Sequence, residues 1–232
     1  DRTNLISSVN LVEKLKELRF IKKFLQISTP EVYGNNTGLI YEESKFEPST
    51  PYAVSRASFD FHLINLYKNF NFPAVVSRAA NVYGPGQALY RIIPKTFIYL
   101  YKKKKIKLDG LGNTLRSFIY IDDIVKAYFI LLTRGKNGQT YNISNNKFIS
   151  IKKLVATICN LKKKSFNKNV ELIKRDRIGK DLKYKLSNRK LKKQFKFKFK
   201  TSMNTGLKHV DDWIIDNRSI LFKEKTWYVH KK

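Results

Sequence analysis

Three short segments carry residue types that could do chemistry on a small polar substrate. In Ser28-Thr29-Pro30-Glu31-Val32-Tyr33-Gly34, a hydroxyl and a carboxylate stand two residues apart just after the β-like run Phe24–Ser28. Open α/β sheets bind ligands beyond the carboxyl ends of their strands, so Thr29 and Glu31 are candidates for hydrogen bonding and proton transfer. Taken alone, a strand end with a Pro-containing turn explains the segment equally well. In Tyr52-Ala53-Val54-Ser55-Arg56 the i, i+4 spacing puts a phenol and a guanidinium on one helix face, one turn apart. A fixed cation beside a phenol favours the phenolate and would make Tyr52 a usable base. A helix-start tyrosine with a surface arginine is the plainer explanation of that pair by itself. The third segment, Arg116 to Asp123, sets a basic residue before a strand and the acidic pair Asp122-Asp123 at the next helix start, where Asp serves as an N-cap. Downstream, Asp176-Arg177-Ile178-Gly179-Lys180-Asp181 adds Arg177 on a loop, and an arginine's planar fork suits a diphosphate.

Alternating strands and helices must position these residues. Leu5, Val9, Val12 and Leu15 form a helical stripe within residues 4–18, ahead of the strand 24–28. Residues 35–50 are polar and Pro/Gly-marked, hence a loop. A helix follows over 52–70, with Phe59, Leu63, Leu66 and Phe70 on one face. Ala74-Val75-Val76 is a buried-type strand leading into a loop over 81–86. Later come helices near 92–101, 123–133, 151–161, 187–195 and 203–216, and strands near 117–121 and at Thr140–Ile143. Strands separated by helix-length segments imply parallel pairing with crossover helices, an α/β layered fold. The glycines include no GxGxxG or GxxGxxG turn, and the first residue is Asp rather than Met, so the chain reads as part of a longer protein.

Composition narrows the partners. Lys plus Arg total 47 against 18 Asp plus Glu, a net charge of +29 that would ordinarily suggest nucleic acid or an anionic membrane. The excess is mostly lysine, accompanied by abundant Asn, Ile, Phe and Tyr, all residues with A/T-rich codons. Genome bias therefore explains the composition, and the lysine runs are spread along the chain rather than gathered in one arm. No nucleic-acid partner is expected, although a basic surface suits an anionic substrate. No run approaches the roughly 20 apolar residues of a membrane helix, and no signal peptide is evident. The single cysteine, Cys159, excludes an internal disulfide, and three scattered histidines offer no metal motif. A cytoplasmic protein with neither membrane nor metal is expected.

Together the segments resemble the extended short-chain dehydrogenase/reductase superfamily, specifically its NAD-dependent nucleotide-sugar epimerases and dehydratases. The likeness runs nearly end to end through STPEVYG (28–34), PSTPYAVSRAS (48–58), SRAANVYGPG (77–86), LRSFIYIDD (115–123), QTYNIS (139–144) and DRIGKDLKY (176–184). It implies a Rossmann-like doubly wound parallel sheet whose amino-terminal half is missing, about three strand–helix units at roughly 30 residues each, with a smaller α/β substrate domain. Residues 1–83 would be the carboxyl-terminal half of the NAD-binding domain. Residues 84–232 would form mainly the nucleotide-sugar domain, with segments near 114–144 returning to the sheet.

The resemblance also implies roles. Tyr52 would take the proton of the sugar 4-hydroxyl as hydride leaves C4 for NAD, Thr29 would hydrogen-bond the same oxygen, and Glu31 would remove the C5 proton. Arg56 stands where the family has a lysine that binds the nicotinamide ribose and tunes the tyrosine. Asn81, Arg116 and Arg177 would contact the diphosphate, Asp181 the ribose, and Tyr90-Arg91 would cover the nucleotide. A homodimer through the helices near 1–18 and 52–70 is implied as well, and the 232 residues alone are expected to bind NAD weakly. Two positions depart from the pattern. One branch of the 4,6-dehydratases has an aspartate at the place of Pro30 that protonates the leaving hydroxyl, which proline cannot do. GDP-mannose dehydratases resemble this chain in keeping the glutamate without that acid, and UDP-glucuronate decarboxylases look similar and need none. Arg56 keeps the lysine's charge but changes its shape. A 4,6-dehydratase-like enzyme is the expectation. The alternatives are a UDP-sugar 4-epimerase, a UDP-glucuronate decarboxylase, or a non-catalytic relative that binds nucleotide-sugars.

Overall fold

Strand and helix alternate along the chain in this computed structural model, which describes residues 2–36, 38–175 and 185–228. After a π-helical turn at Arg2–Ile6 come α1 (Ser7–Lys16), β1 (Phe24–Ser28), β2 (Leu39–Ile40), α2 (Pro51–Phe70), β3 (Ala74–Ala79) and β4 (Asn81–Tyr83). The middle of the chain forms α3 (Ile92–Tyr101), β5 (Ile106–Asp109), β6 (Leu115–Tyr120), α4 (Ile121–Arg134), β7 (Thr140–Ile143), β8 (Phe148–Ser150) and α5 (Ile151–Leu161). The last described elements are α6 (Phe166–Asn169), β9 (Val170–Ile173), β10 (Lys185–Leu186), α7 (Arg189–Phe195), α8 (Met203–Asp216) and α9 (Arg218–Leu221). None of the described helices is long and apolar enough to cross a membrane. The chain divides into two units. Unit 1 comprises residues 1–81, 117–147 and 181–199, and unit 2 the segments 82–116, 148–180 and 200–232.

Unit 1 is built on a parallel sheet of order β1-β3-β7, in register from Phe24 opposite Ala74 to Ser28 opposite Arg78, and from Val76 opposite Thr140 to Ala79 opposite Ile143. Parallel neighbours need a crossover, and between β1 and β3 it is α2. That helix starts where Thr50 Oγ1 accepts a hydrogen bond from Ala53 N (3.1 Å) with Pro51 in the first turn, and it stops at Asn71 in the left-handed conformation. Its Phe59, Leu63 and Leu66 meet Val12 of α1 and Phe72, Ala74 and Val76 in one apolar cluster. Phe70, expected on that face, is exposed instead; the Lys16 ammonium sits 4.4 Å from its ring centroid. β2 lies inside the stretch 35–50 expected to be a plain loop, and it pairs in parallel with β10 as a second, two-stranded sheet.

Unit 2 has a parallel pair, β5 with β9, that the sequence did not suggest. α3 packs against α5 and α8. Here Asp211 accepts from Tyr101 Oη (2.6 Å) and Lys162 Nζ (2.9 Å), and Lys162 also donates to Tyr101 Oη (2.7 Å). The helices expected near 92–101, 151–161 and 203–216 are present with those bounds. At α4 the expected Asp cap is replaced: Tyr120 is the N-cap residue, its side chain making no cap hydrogen bond to the helix, and Asp122 and Asp123 lie in the first turn, where the helix dipole favours carboxylates.

Candidate active site

The carboxyl ends of β1 and β3 lie side by side because the strands are parallel and paired through Ser28 and Arg78. Thr29 follows β1 directly and is buried. Its Oγ1 caps a short 3-10 turn, Pro30–Tyr33, by accepting a hydrogen bond from Glu31 N (3.3 Å), which leaves the half-buried Glu31 in the first turn. Gly34 closes the turn at φ 65°, and a Cβ there would lie 2.0 Å from the Glu47 carbonyl oxygen. Only glycine lets the following loop fold back so closely, and Glu47 N donates to Val32 O (3.0 Å) to hold it.

α2 packs against this turn. Tyr52 stands in its first turn and is 44% exposed. Arg56, one turn on, is half-buried, and its Nη2 donates to the carbonyl of Ile27, two residues before Thr29. That contact ties the Tyr52–Arg56 face of the helix to the end of β1. Asn81 opens β4, two residues beyond the end of β3, and its Nδ2 donates to Ser117 O (3.3 Å). Unit 1 therefore sets Thr29 and Glu31 just beyond the carboxyl end of β1, with the turns of α2 that carry Tyr52 and Arg56 tied there through Ile27 and Asn81 following the end of β3.

The remaining predicted residues lie in unit 2 or outside the description. Tyr90 and Arg91 are together just before α3: the guanidinium carbon sits 5.3 Å from the Tyr90 ring centroid, and Tyr90 makes an edge contact with Tyr228 at 5.3 Å. Arg116, on β6, is half-buried and donates from Nη1 to its neighbour's carbonyl, Leu115 O (3.0 Å). Arg177 and Asp181 lie outside the described residues. A cavity of about 690 Å³ in unit 2, lined by Phe97, Leu161 and residues of α8 that include Lys208 and His209, contains none of the predicted site residues.

Sequence reasoning missed the polar core beneath the site. Arg78 on β3 is 1% exposed and Asp60 on α2 is 0% exposed. Arg78 Nε and Nη2 both donate to Asp60 Oδ2 (3.0 and 2.8 Å), and Nη1 donates to Tyr33 Oη (2.7 Å). Tyr33 Oη donates in turn to Asn142 Oδ1 (3.1 Å), and Ser28 Oγ donates to Asp60 Oδ2 (2.9 Å). The guanidinium carbon also lies 4.9 Å and 4.5 Å from the ring centroids of Tyr33 and Phe46. Burial raises the Asp60 carboxyl above its ordinary value, although the Arg78 charge and hydrogen bonds pull the other way. Burial likewise raises the Tyr33 phenol, against the Arg78 charge. One signal was available: Asp60 extends the Tyr52, Arg56 spacing by a further four residues.

Comparison with known proteins follows the same pattern. Residues 2–144 match the sequence profile described as the NAD dependent epimerase/dehydratase family. The human dTDP-D-glucose 4,6-dehydratase is 31% identical over 213 residues, which are 89% of this chain and 60% of that protein. Among solved structures, the dTDP-glucose 4,6-dehydratase of Bacillus anthracis, crystallised with NAD, superposes with a TM-score of 0.87 at 33% identity. The match covers 94% of this chain and 69% of that one. The corresponding Streptomyces venezuelae enzyme, also with NAD, gives a TM-score of 0.87 at 26% identity, covering 94% and 67%. The fold is thus the Rossmann-like α/β fold of these enzymes. The chain spans about 60% of the length of the human relative.

Proposed function

This chain belongs to the NAD-dependent epimerase/dehydratase family, and from that premise we propose that it is part of a nucleotide-sugar 4,6-dehydratase-like enzyme. The observation that supports it best is the placement of Thr29 and Glu31 just beyond the carboxyl end of β1, with the turns of α2 that carry Tyr52 and Arg56 tied there by the contact of Arg56 with Ile27. The residues present fit the nicotinamide side of the cofactor: an exposed tyrosine and a half-buried arginine stand at the carboxyl ends of parallel strands, where such sheets bind nucleotides. Tyr52 and Arg56 would hold the nicotinamide side of NAD, whose chemistry there would be hydride acceptance from C4 and hydride donation to C6.

The chain's own residues do the proton work. Tyr52 takes the proton of the 4-hydroxyl as the ketone forms, and Thr29 hydrogen-bonds that oxygen. Arg56 holds positive charge one turn along the helix from the phenol. The C5 proton next to a C4 ketone is acidic, and Glu31 is the carboxylate on this strand end that can remove it. With proline at position 30, Glu31 also has to return its proton to the departing 6-hydroxyl, which leaves as water; Glu31 then takes a proton from solvent and passes it to C5 as hydride adds at C6, while Tyr52 releases to solvent the proton it took from the 4-hydroxyl. Asn81, Arg116 and Arg177 are assigned to the diphosphate, Asp181 to the ribose, and Tyr90 and Arg91 to covering the nucleotide. We also assign a homodimer through α1 and α2, which expose Leu11, Val54 and Phe61.

Mass spectrometry of the product tests the assignment. Loss of water from a nucleotide-hexose supports it. An unchanged mass with altered chromatography would make the protein an epimerase, and loss of carbon dioxide from a nucleotide-uronate would make it a decarboxylase. Pro30 is the feature that favours those alternatives, because neither reaction needs an acid for a leaving hydroxyl.

A further inference from the structure

The face of α2 that carries Tyr52 and Arg56 carries a third polar residue, because Asp60 follows Arg56 by four positions. Asp60 Oδ2 accepts hydrogen bonds from Ser28 Oγ, Arg78 Nε and Arg78 Nη2. Its other oxygen, Oδ1, is buried and accepts none among the described residues. One turn earlier, Arg56 Nη2 donates to Ile27 O, while Arg56 Nε is buried and donates to nothing among the described residues. An unpaired acceptor and an unpaired donor thus occupy adjoining turns of one helix face. Each carries a desolvation cost that a bond between them would remove. The Arg56 charge already acts on the Asp60 carboxylate, favouring its ionised form.

We infer that Asp60 is the positioning residue of Arg56, its Oδ1 accepting the Arg56 Nε–H in the working protein. The Nε–H and one Nη2 hydrogen point along the same edge of a guanidinium, so that edge can hold Asp60 and the Ile27 carbonyl side by side. A lysine at this position has a single terminal nitrogen and no donor midway along its stem, so the arrangement belongs to arginine alone. It explains how Arg56 is held still beside Tyr52 despite its greater length. The inference rests on Tyr52 and Arg56 acting as the pair proposed above.

Arginine side-chain NMR of the full-length protein tests it without turnover. The Arg56 Nε–H signal is identified by its loss in Arg56→Lys. It should exchange with solvent at least about tenfold more slowly than exposed arginines and show the downfield proton shift of a bond to carboxylate. An Arg56 Nε–H that is unshifted, or that exchanges like exposed arginines, overturns the inference and leaves the enzymatic assignment untouched. Kinetics give a second arm, since Asp60→Asn also disturbs Arg78. Asp60→Asn should lower kcat for sugar oxidation about tenfold at unchanged KM, within the range set by misplaced catalytic groups, and should add little to Arg56→Lys. Equal losses in both backgrounds would confine Asp60 to holding Arg78 and overturn the inference. If the wild-type protein oxidises no nucleotide-sugar, the enzymatic assignment fails while the NMR result still decides the position of Arg56.

Discussion

Arg78→Met should be among the most damaging single substitutions in unit 1, and its cost can be worked from the contacts. The guanidinium gives two hydrogen bonds to Asp60 and one to Tyr33, and lies over two aromatic rings. Removing one partner of a buried ion pair costs ~3–5 kcal/mol, because the other charge stays buried without compensation. Asp60 would retain the Ser28 hydroxyl, which places the expected loss near the middle of that range, ~4 kcal/mol. The double variant Asp60→Leu/Arg78→Met removes both charges at comparable volume. It should cost only ~1–3 kcal/mol, largely for the donor lost by Tyr33 Oη. The assay is urea unfolding at pH 7, followed by tryptophan fluorescence and circular dichroism together so that coincident transitions can be checked. Arg78→Met within about 1 kcal/mol of wild type would refute the reasoning, as would a double variant no more stable than the single one.

Three further outcomes follow from particular residues. If the proposed dehydration holds, Glu31→Gln in the full-length protein should still oxidise C4, so reduced nicotinamide absorbance appears, while release of the 4-keto-6-deoxy product falls by about 10²–10⁴; an epimerase would keep most of its activity. Gly34→Ala should destabilise the protein by at least ~1–3 kcal/mol, because its φ of 65° suits glycine and the new Cβ would meet the Glu47 carbonyl, as a shift in the unfolding midpoint would show. Lys162 is subject to burial, which lowers its pKa, but hydrogen bonds to Tyr101 and Asp211 prevail and raise it above the ordinary lysine value of 10.5. A raised lysine contributes stability that is complete below pH 10.5 and lost as pH rises through its folded value. Thermal melts across pH 9–12 should therefore fall more steeply for wild type than for Lys162→Met.

Much of this architecture was legible where periodicity is strong. Phe59, Leu63 and Leu66 announced α2, and the run from Thr140 to Ile143 announced β7 with both ends placed. The strands β5 and β9 were missed because each is four residues long and gains its partner across some sixty residues of chain, a pairing no local pattern contains. Phe70 was misplaced because periodicity sets the face of a helix but not how far along that face the core reaches; Phe70 is the last residue of α2, which Asn71 ends in the left-handed conformation. The site divides the same way. The placement of Thr29 and Glu31 just after a strand, and of Tyr52 and Arg56 one turn apart on a helix, could be read from type and spacing, since strand ends and helix turns set their neighbourhood. Arg78 and Asp60 could not, because nothing local distinguishes a strand arginine that is 1% exposed from the many lysines and arginines that face water.

The central claim is that Tyr52 takes a proton from the sugar hydroxyl as C4 is oxidised. Its most direct test is single-turnover hydride transfer by the full-length protein, wild type against Tyr52→Phe, with NAD and a nucleotide-hexose. Affinity for the nucleotide-sugar is measured in parallel by calorimetry. We predict that Tyr52→Phe lowers the rate of reduced-nicotinamide formation by about 10²–10⁴, the scale for losing a general base, with sugar-nucleotide affinity nearly unchanged. A Tyr52→Phe protein that oxidises the sugar at the wild-type rate would contradict the account.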